Sequence, residues 1–330
     1  MVTVAIVGAG GIAKSHAETL SRIADAEIVS VYDVDFLRAA ALAKSCGAMA
    51  YSDLDACIRS AELIYILTPP SFHKDIAIAA MEEGKHVMIE KPIAITLEDA
   101  EAICEAAARL GRKAMVGFNM RYRPGYNKLK RALESGTLGE PIGYWSQRMG
   151  MGSQGGTWRT NAAQMSGFTI ESISHDVDIF RWLSGSEVEC VYGEVANSRV
   201  DLPGYDDHCA AVLRLRNGQT ASIQASWCSY LEFNNRGISG TRGTAMISGQ
   251  GTWNFDTYEY RTQTMERPEV ERFDDPLSVA AYFDQNVAVI ECVKRDTPPP
   301  VTAEDGYRVL RVSHAILQAH RERRTVVIPE

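Results

Sequence analysis

The chain has no Cys-x-x-Cys pair, no run of basic residues, no low-complexity tract and no internal repeat. Each absence removes a class of protein. Seven cysteines (Cys46, Cys57, Cys104, Cys190, Cys209, Cys228 and Cys292) are odd in number and widely spaced, so neither a disulfide framework nor a metal site is expected. They read as reduced thiols, and a cytoplasmic protein is expected. No apolar run is long enough to span a bilayer, so no membrane partner is expected. Gly8 follows the opening apolar run too soon for the charged and apolar regions of a leader. With 34 Lys and Arg against 42 Asp and Glu, the net charge is −8 and the basic residues are scattered, which argues against nucleic acid as a partner.

What remains is an ordinary globular composition, 45% hydrophobic and 23% charged over 330 residues, longer than one hydrophobic core usually supports. Two domains are expected. Val2–Val7 is a largely apolar run rich in β-branched residues, of the kind buried on both faces of a sheet, followed by a helix over 11–23. Strands over 27–32, 63–68, 86–90 and 113–118 then alternate with helices over 34–46, 72–83 and 96–110, the pattern of a parallel sheet covered by helices. In the last of these helices Thr96 and Asp99 form a capping box, and Gly111 supplies the stop. The reading is a Rossmann-type α/β domain over 1–120.

Beyond residue 120 the pattern changes. Helices are expected over 126–134, 170–183, 277–294 and 303–322, with a strand over 142–149 and a glycine-rich loop over 150–156. Ala211, Leu213 and Leu215 alternate with polar residues, Asn217-Gly218 turns the chain, and Ala221, Ile223, Ala225 and Trp227 alternate again. The second domain, 121–330, is therefore expected to be α+β with a large, mostly antiparallel open sheet. Its last helix is expected to pack back near the first domain.

Two stretches carry chemistry. Gly8-Ala9-Gly10-Gly11-Ile12-Ala13 fits G-x-G-x-x-G/A between a buried strand and a helix, the context in which the motif binds a dinucleotide. Gly8 permits the tight turn, Gly10 lets a pyrophosphate approach the backbone, and Ala13 allows close helix–strand packing. Asp33, ending the next strand, stands where a carboxylate accepts from the adenosine ribose hydroxyls and repels a 2′-phosphate, so NAD is expected in preference to NADP. Asp35 is an alternative ribose ligand, and Arg38 is positioned along the chain to compensate a 2′-phosphate. The second stretch is Glu171-Ser172-Ile173-Ser174-His175-Asp176-Val177-Asp178, which as one helix puts Glu171 and His175 a turn apart, with Asp178 and Trp182 on the same stripe.

Together with Thr68-Pro69-Pro70-x-x-His73, Gly84-Lys85-His86-Val87, Glu90-Lys91-Pro92, Gly117-Phe118-Asn119-x-Arg121, Leu138-Gly139 and Asp305-Gly306, these residues make the chain resemble the glucose–fructose oxidoreductase / myo-inositol dehydrogenase (Gfo/Idh/MocA) family over essentially its whole length. The resemblance implies an NAD-dependent, metal-free oxidation of a secondary hydroxyl on a sugar or cyclic polyol. It gives Lys91 and His175 the places of the family's catalytic lysine and histidine. Glu171 stands where the family usually has aspartate, a departure that keeps the charge on a longer arm. Gly8, Gly10, Gly11, Ile12, Ala13, Asp33, Thr68, Pro69, His73, Glu90 and Lys91 are the cofactor-side candidates. Lys91, Asn119, Arg121, Trp158, Arg159, His175 and Asp178 are the substrate-side candidates. His73 reads equally as a helix-start residue, and Trp158 as a packed one.

Chemically, a neutral imidazole accepts a hydroxyl proton near neutral pH, and a cationic lysine stabilises developing alkoxide. Two alternatives are an NAD-bound lyase, hydrolase or epimerase with transient oxidation, and a non-catalytic NAD sensor. The polar face carrying Arg214, Arg216, Thr220, Ser222, Gln224 and Ser226, with the family's habit of assembling through such a sheet, implies a homodimer or homotetramer.

Overall fold

The first strand, β1 (Val2–Val7), is almost wholly buried, and the chain leaves it through Gly8 into α1 (Gly11–Leu20). There follow β2 (Ala26–Tyr32), α2 (Phe36–Cys46), β3 (Met49–Tyr51), α3 (Leu54–Arg59), β4 (Leu63–Ile66), α4 (His73–Glu82), β5 (His86–Ile89), α5 (Leu97–Leu110) and β6 (Ala114–Val116). In this computed structural model the described residues are 1–152, 158, 161, 164, 167–198, 204–275 and 280–329.

These strands form one parallel sheet in the order β3-β2-β1-β4-β5-β6. The order reverses between β1 and β4, and in such sheets ligands bind beyond the carboxyl ends of the strands at that reversal. All four residues of β4 are buried, and its three aliphatic side chains, Leu63, Ile64 and Ile66, contribute roughly 1.5–3 kcal/mol each. The boundaries follow local chemistry. Thr96 caps α5 by accepting from Asp99 N at 3.1 Å, and Gly111 ends it at φ +61°. The sequence reading passed over β3 and α3, and began α2 at Val34. Asp35 instead caps that helix by accepting from Leu37 N.

The chain divides into two units, 1–119 with 279–310 and 120–278 with 311–330. The second begins with α6 (Pro124–Glu134) and β7 (Pro141–Met151), then α7 (Phe168–Glu171) and α8 (Ile173–Ser184). Strands β8 (Val188–Ala196), β9 (His208–Leu215), β10 (Thr220–Ser226), β11 (Cys228–Gly240), β12 (Gly243–Gln250), β13 (Phe255–Thr262) and β14 (Glu269–Asp275) follow. Last come α9 (Ala280–Lys294), α10 (Ala303–Glu322) and β15 (Val326–Val327).

Among the described residues the second sheet has nine strands in the order β14-β13-β12-β11-β7-β10-β9-β8-β15. Its pairings are antiparallel except β7 with β10. The β9–β10 hairpin turns at Asn217-Gly218, with Gly218 at φ +85°. One helix, α9, belongs to the first unit although it follows the second sheet in sequence, and its Val289, Ile290, Cys292 and Val293 join the first unit's core. No helix among the described residues is long and apolar enough to cross a membrane.

Candidate active site

In the first unit, the candidates gather at the carboxyl edge of the parallel sheet. Gly8 has φ +99°, and an added Cβ would stand 2.8 Å from the carbonyl carbon and oxygen of Leu67 at the end of β4, so glycine is required twice over. Gly10 and Gly11 are different: a Cβ on either would meet nothing within 4 Å. They face open space, along a groove of about 840 Å³ that runs from Ala9, Gly10 and Gly11 to Ser45 and Cys46 between α1 and α2. Gly10 caps α1 without any side-chain hydrogen bond, so the first-turn amides keep their partial positive charge for an anion. Ala13 is fully buried, and Ile12 packs partly against the core.

Asp33 closes this turn. One of its carboxylate oxygens accepts from Ala9 N at 2.7 Å and the other from Asp35 N at 2.9 Å. Arg38 is held by Asp35 at 3.3 Å on the exposed surface. A turn with open-faced glycines, uncapped amides and an anchored carboxylate fits a dinucleotide, since free helix amides suit phosphates and a carboxylate suits ribose hydroxyls.

Thr68 and Pro69 follow β4, and the Thr68 carbonyl faces His73 Nε2 at 2.9 Å. His73 Nδ1 faces the carbonyls of Pro92 and Ile93 at 3.1 and 3.2 Å. Its ring is fully buried, and burial holds its pKa below the ordinary histidine range despite the opposing carbonyls of Thr68, Ile93 and Pro92 and the charge of Glu90. His73 thus ties the end of β4 to the loop after β5; its side chain serves that brace and not an open groove. In that loop the Lys91–Pro92 peptide is cis, and the Lys91 amide donates to Glu90 Oε2 at 3.1 Å. Asn119 is buried at the start of a short 3₁₀ turn, Asn119–Tyr122.

In the second unit the expected single helix over Glu171–His175 is two. Short α7 ends at Glu171, Ser172 breaks the run, and α8 begins at Ile173. Gly167, at φ +107°, lets Asp206 pack against it, and Asp206 Oδ2 accepts from Thr169 N at 2.8 Å, which pins the start of α7. Glu171, His175, Asp176 and Asp178 are all buried. The Asp176 and Asp178 carboxylates are held by arginine partners instead of water.

Arg121 binds Asp178 through both guanidinium and carboxylate, with Nε to Oδ2 at 2.9 Å and a second contact from Nη2 to Oδ1 at 2.5 Å. Both were read as substrate ligands, and the structure brings them together as a bidentate pair. Asp176 accepts from Ser146 Oγ at 2.6 Å and Arg148 Nη2 at 2.9 Å. Burial alone would raise its pKa, yet Arg148, Arg236 and these hydrogen bonds hold it below the usual carboxylate range. Arg148 lies 4.3 Å from the centroid of Trp253, and the other side of the contact chain is His175, whose ring meets Trp253 edge-on at 5.6 Å. Arg123 secures the same hairpin by donating to the Trp253 carbonyl at 2.6 Å and to Asp275 Oδ1 at 3.1 Å.

Trp253, Arg148 and Asp176 were not singled out from sequence. Trp253 lies in a β12–β13 turn with no motif around it, whereas Arg148 carried a signal: it sits on the inward-facing alternation of β7 with Tyr144 and Ser146, where an unpaired charge is not tolerated. Trp158 is half-buried in a turn closed by Asn161 N to its carbonyl at 3.1 Å. Arg159 lies outside the described residues.

Residues 2–118 match the profile of an oxidoreductase family with an NAD-binding Rossmann fold, and residues 126–246 match the Gfo/Idh/MocA C-terminal domain. The chain belongs to the Gfo/Idh/MocA family. A glucose-6-phosphate 3-dehydrogenase of Bacillus subtilis is 32% identical over 244 residues, covering 70% of this chain and 69% of that protein. A myo-inositol 2-dehydrogenase of Thermotoga maritima is 25% identical over 99% of this chain and 98% of its own length. Among solved structures, a levoglucosan dehydrogenase in complex with NADH superposes with a TM-score of 0.89 at 21% identity, covering 100% of this chain and 99% of that one, a likeness of fold. This family member is thus an oxidoreductase with an NAD-binding Rossmann domain whose relatives act on sugars and inositols.

Proposed function

We propose that this protein is an NAD-dependent dehydrogenase that oxidises a secondary hydroxyl of a pyranose or cyclitol without a metal. The observation that carries the reading is that Lys91 leaves the same sheet edge as the glycine turn and Asp33, across the strand-order reversal between β1 and β4. Asp33 favours NAD over NADP, because a 2′-phosphate would meet a carboxylate already fixed by two backbone amides.

When bound, NAD supplies the hydride acceptor. His175, as neutral imidazole, takes the hydroxyl proton, and Lys91 donates to the same oxygen as charge develops on it. Glu171 sets the electrostatics of His175. Trp253, half-buried and stiffened by Arg148, offers an aromatic wall beside His175 for the C–H face of a ring substrate. Asn119, Arg121, Trp158, Arg159 and Asp178 are the substrate-ligand candidates of this reading. The protein is cytoplasmic and works as a homodimer or homotetramer through the outer face of the nine-stranded sheet, where Val212 and Tyr192 are exposed; Ser226, first placed on that face, is buried. Light scattering at micromolar concentration gives twice or four times the chain mass if this assembly is right, and the chain mass if it is wrong.

The test of function is absorbance at the NADH band with NAD or NADP and a panel of inositols, aldoses, anhydrosugars and glycosides. A rate with NAD on a cyclic substrate supports the reading. No NADH from any substrate, with a new product formed and cofactor unchanged, replaces it with a lyase, hydrolase or epimerase. Tight NAD binding with no product of any kind leaves a redox sensor.

A further inference from the structure

One cluster of buried polar groups in the first unit has no role in the chemistry above. His16, one and a half turns into α1, is completely buried. Its Nε2 lies 3.1 Å from Glu90 Oε1 and its Nδ1 lies 3.0 Å from Asn286 Oδ1 on α9. Tyr65 on β4 donates its hydroxyl to the same Asn286 oxygen at 3.1 Å, and Asn286 Nδ2 donates to Thr19 Oγ1 at 2.7 Å. The rings of Tyr65 and Tyr282 pack edge-on against His16 at 5.3 and 5.2 Å.

The hydrogens in this network have one consistent order. Thr19 spends its own proton on the backbone oxygens of Ser15 and His16, so it accepts from Asn286 Nδ2, which leaves Asn286 Oδ1 facing both Tyr65 and His16. His16 Nδ1 is therefore a donor. The contact between Nε2 and the Glu90 carboxylate also needs a hydrogen, so one proton is shared along that line. Glu90 Oε2 remains for the Lys91 amide. Gly117 makes the room: an added Cβ there would stand 2.8 Å from Glu90 Oε1.

We propose that His16 is a positioning residue for Lys91. Locked by Asn286 and Tyr65, it fixes the Glu90 carboxylate, and Glu90 fixes the backbone from which Lys91 departs. The proposal rests on the reading of Lys91 as catalytic. A displacement of about 1 Å at a reacting group costs up to roughly a hundredfold in rate, so loss of the brace acts on kcat.

Three variants test it in the full-length enzyme, with Lys91→Met beside them and each checked for folding by thermal melting. His16→Leu is expected to lower kcat at least about tenfold while KM for the polyol and the dissociation constant for NAD change less than about threefold. His16→Gln, which keeps a donor toward Glu90, is expected to recover most of kcat. Tyr65→Phe, which removes one hydroxyl and leaves the ring packing, is expected to lower kcat a few-fold and keeps the test open if His16→Leu does not fold. Unchanged kcat in folded His16→Leu or Tyr65→Phe, or a glutamine no better than leucine, overturns the positioning role. If Lys91→Met itself keeps full kcat, the reading of Lys91 fails; if it is inactive while His16→Leu is normal, only the positioning role fails.

Discussion

The two units solve the problem of holding charge by opposite means. At the edge of the parallel sheet the work is done by backbone and small residues: Gly8 under Leu67, open-faced Gly10 and Gly11, and an Asp33 carboxylate tied to main-chain amides. Around α8 it is done by side chains taken out of water in pairs, Arg121 with Asp178 and Arg148 with Asp176. A site built from backbone depends on conformation and tolerates little added volume. One built from buried ion pairs depends on every partner being present, because each charge is affordable only beside its opposite.

The largest effect that would sharpen this contrast is at Asp178. Asp178→Ala removes the bidentate partner of the Arg121 guanidinium and is expected to cost about 3–5 kcal/mol of the second unit's stability; a denaturant midpoint unchanged from the parent would break the comparison. Next is Gly8→Ala, expected to cost about 1–3 kcal/mol from positive φ, with the Leu67 contact adding to it, and to weaken NAD binding in titration calorimetry. A Gly10→Ala protein, whose Cβ meets no protein atom, should keep its stability and lose only affinity for the dinucleotide.

Smaller is the helix cap: Thr96→Ala is expected to cost about 1 kcal/mol, read by thermal melting, with NAD binding untouched. Smallest is a pH effect. Burial lowers the pKa of His73, and burial with the charges of Arg112 and Lys113 lowers that of His86. The unfolded chain therefore binds these protons first, so the stability of the first unit is full above about pH 6.5 and falls as pH drops below it toward the folded-state values. His73→Gln should flatten part of that fall, and an equally steep profile in the variant would contradict the assignment.

This contrast also accounts for how far the sequence could be read. Glycine spacing, the capping box at Thr96 and Asp99, and the Asn217-Gly218 turn are local signals, and each element stands where they put it. Strand β3 has three residues and α3 has six, too few for any periodicity to show. The pairing of the charges on α8 was not legible because their partners lie far off in sequence: Arg148 on β7, Arg236 on β11 and Arg121 ahead of α6. Asn286 is further still, reaching the first unit's network from α9, 270 residues after His16. Pairing across such separations leaves no local trace.

The most direct test of the central claim is NADH formation by Lys91→Met on whichever cyclic polyol or sugar the parent turns over, with NAD binding followed separately by fluorescence. The account predicts intact NAD binding and turnover reduced at least about a hundredfold, as for removal of a charge-stabilising donor. Undiminished NADH formation by that variant would contradict it.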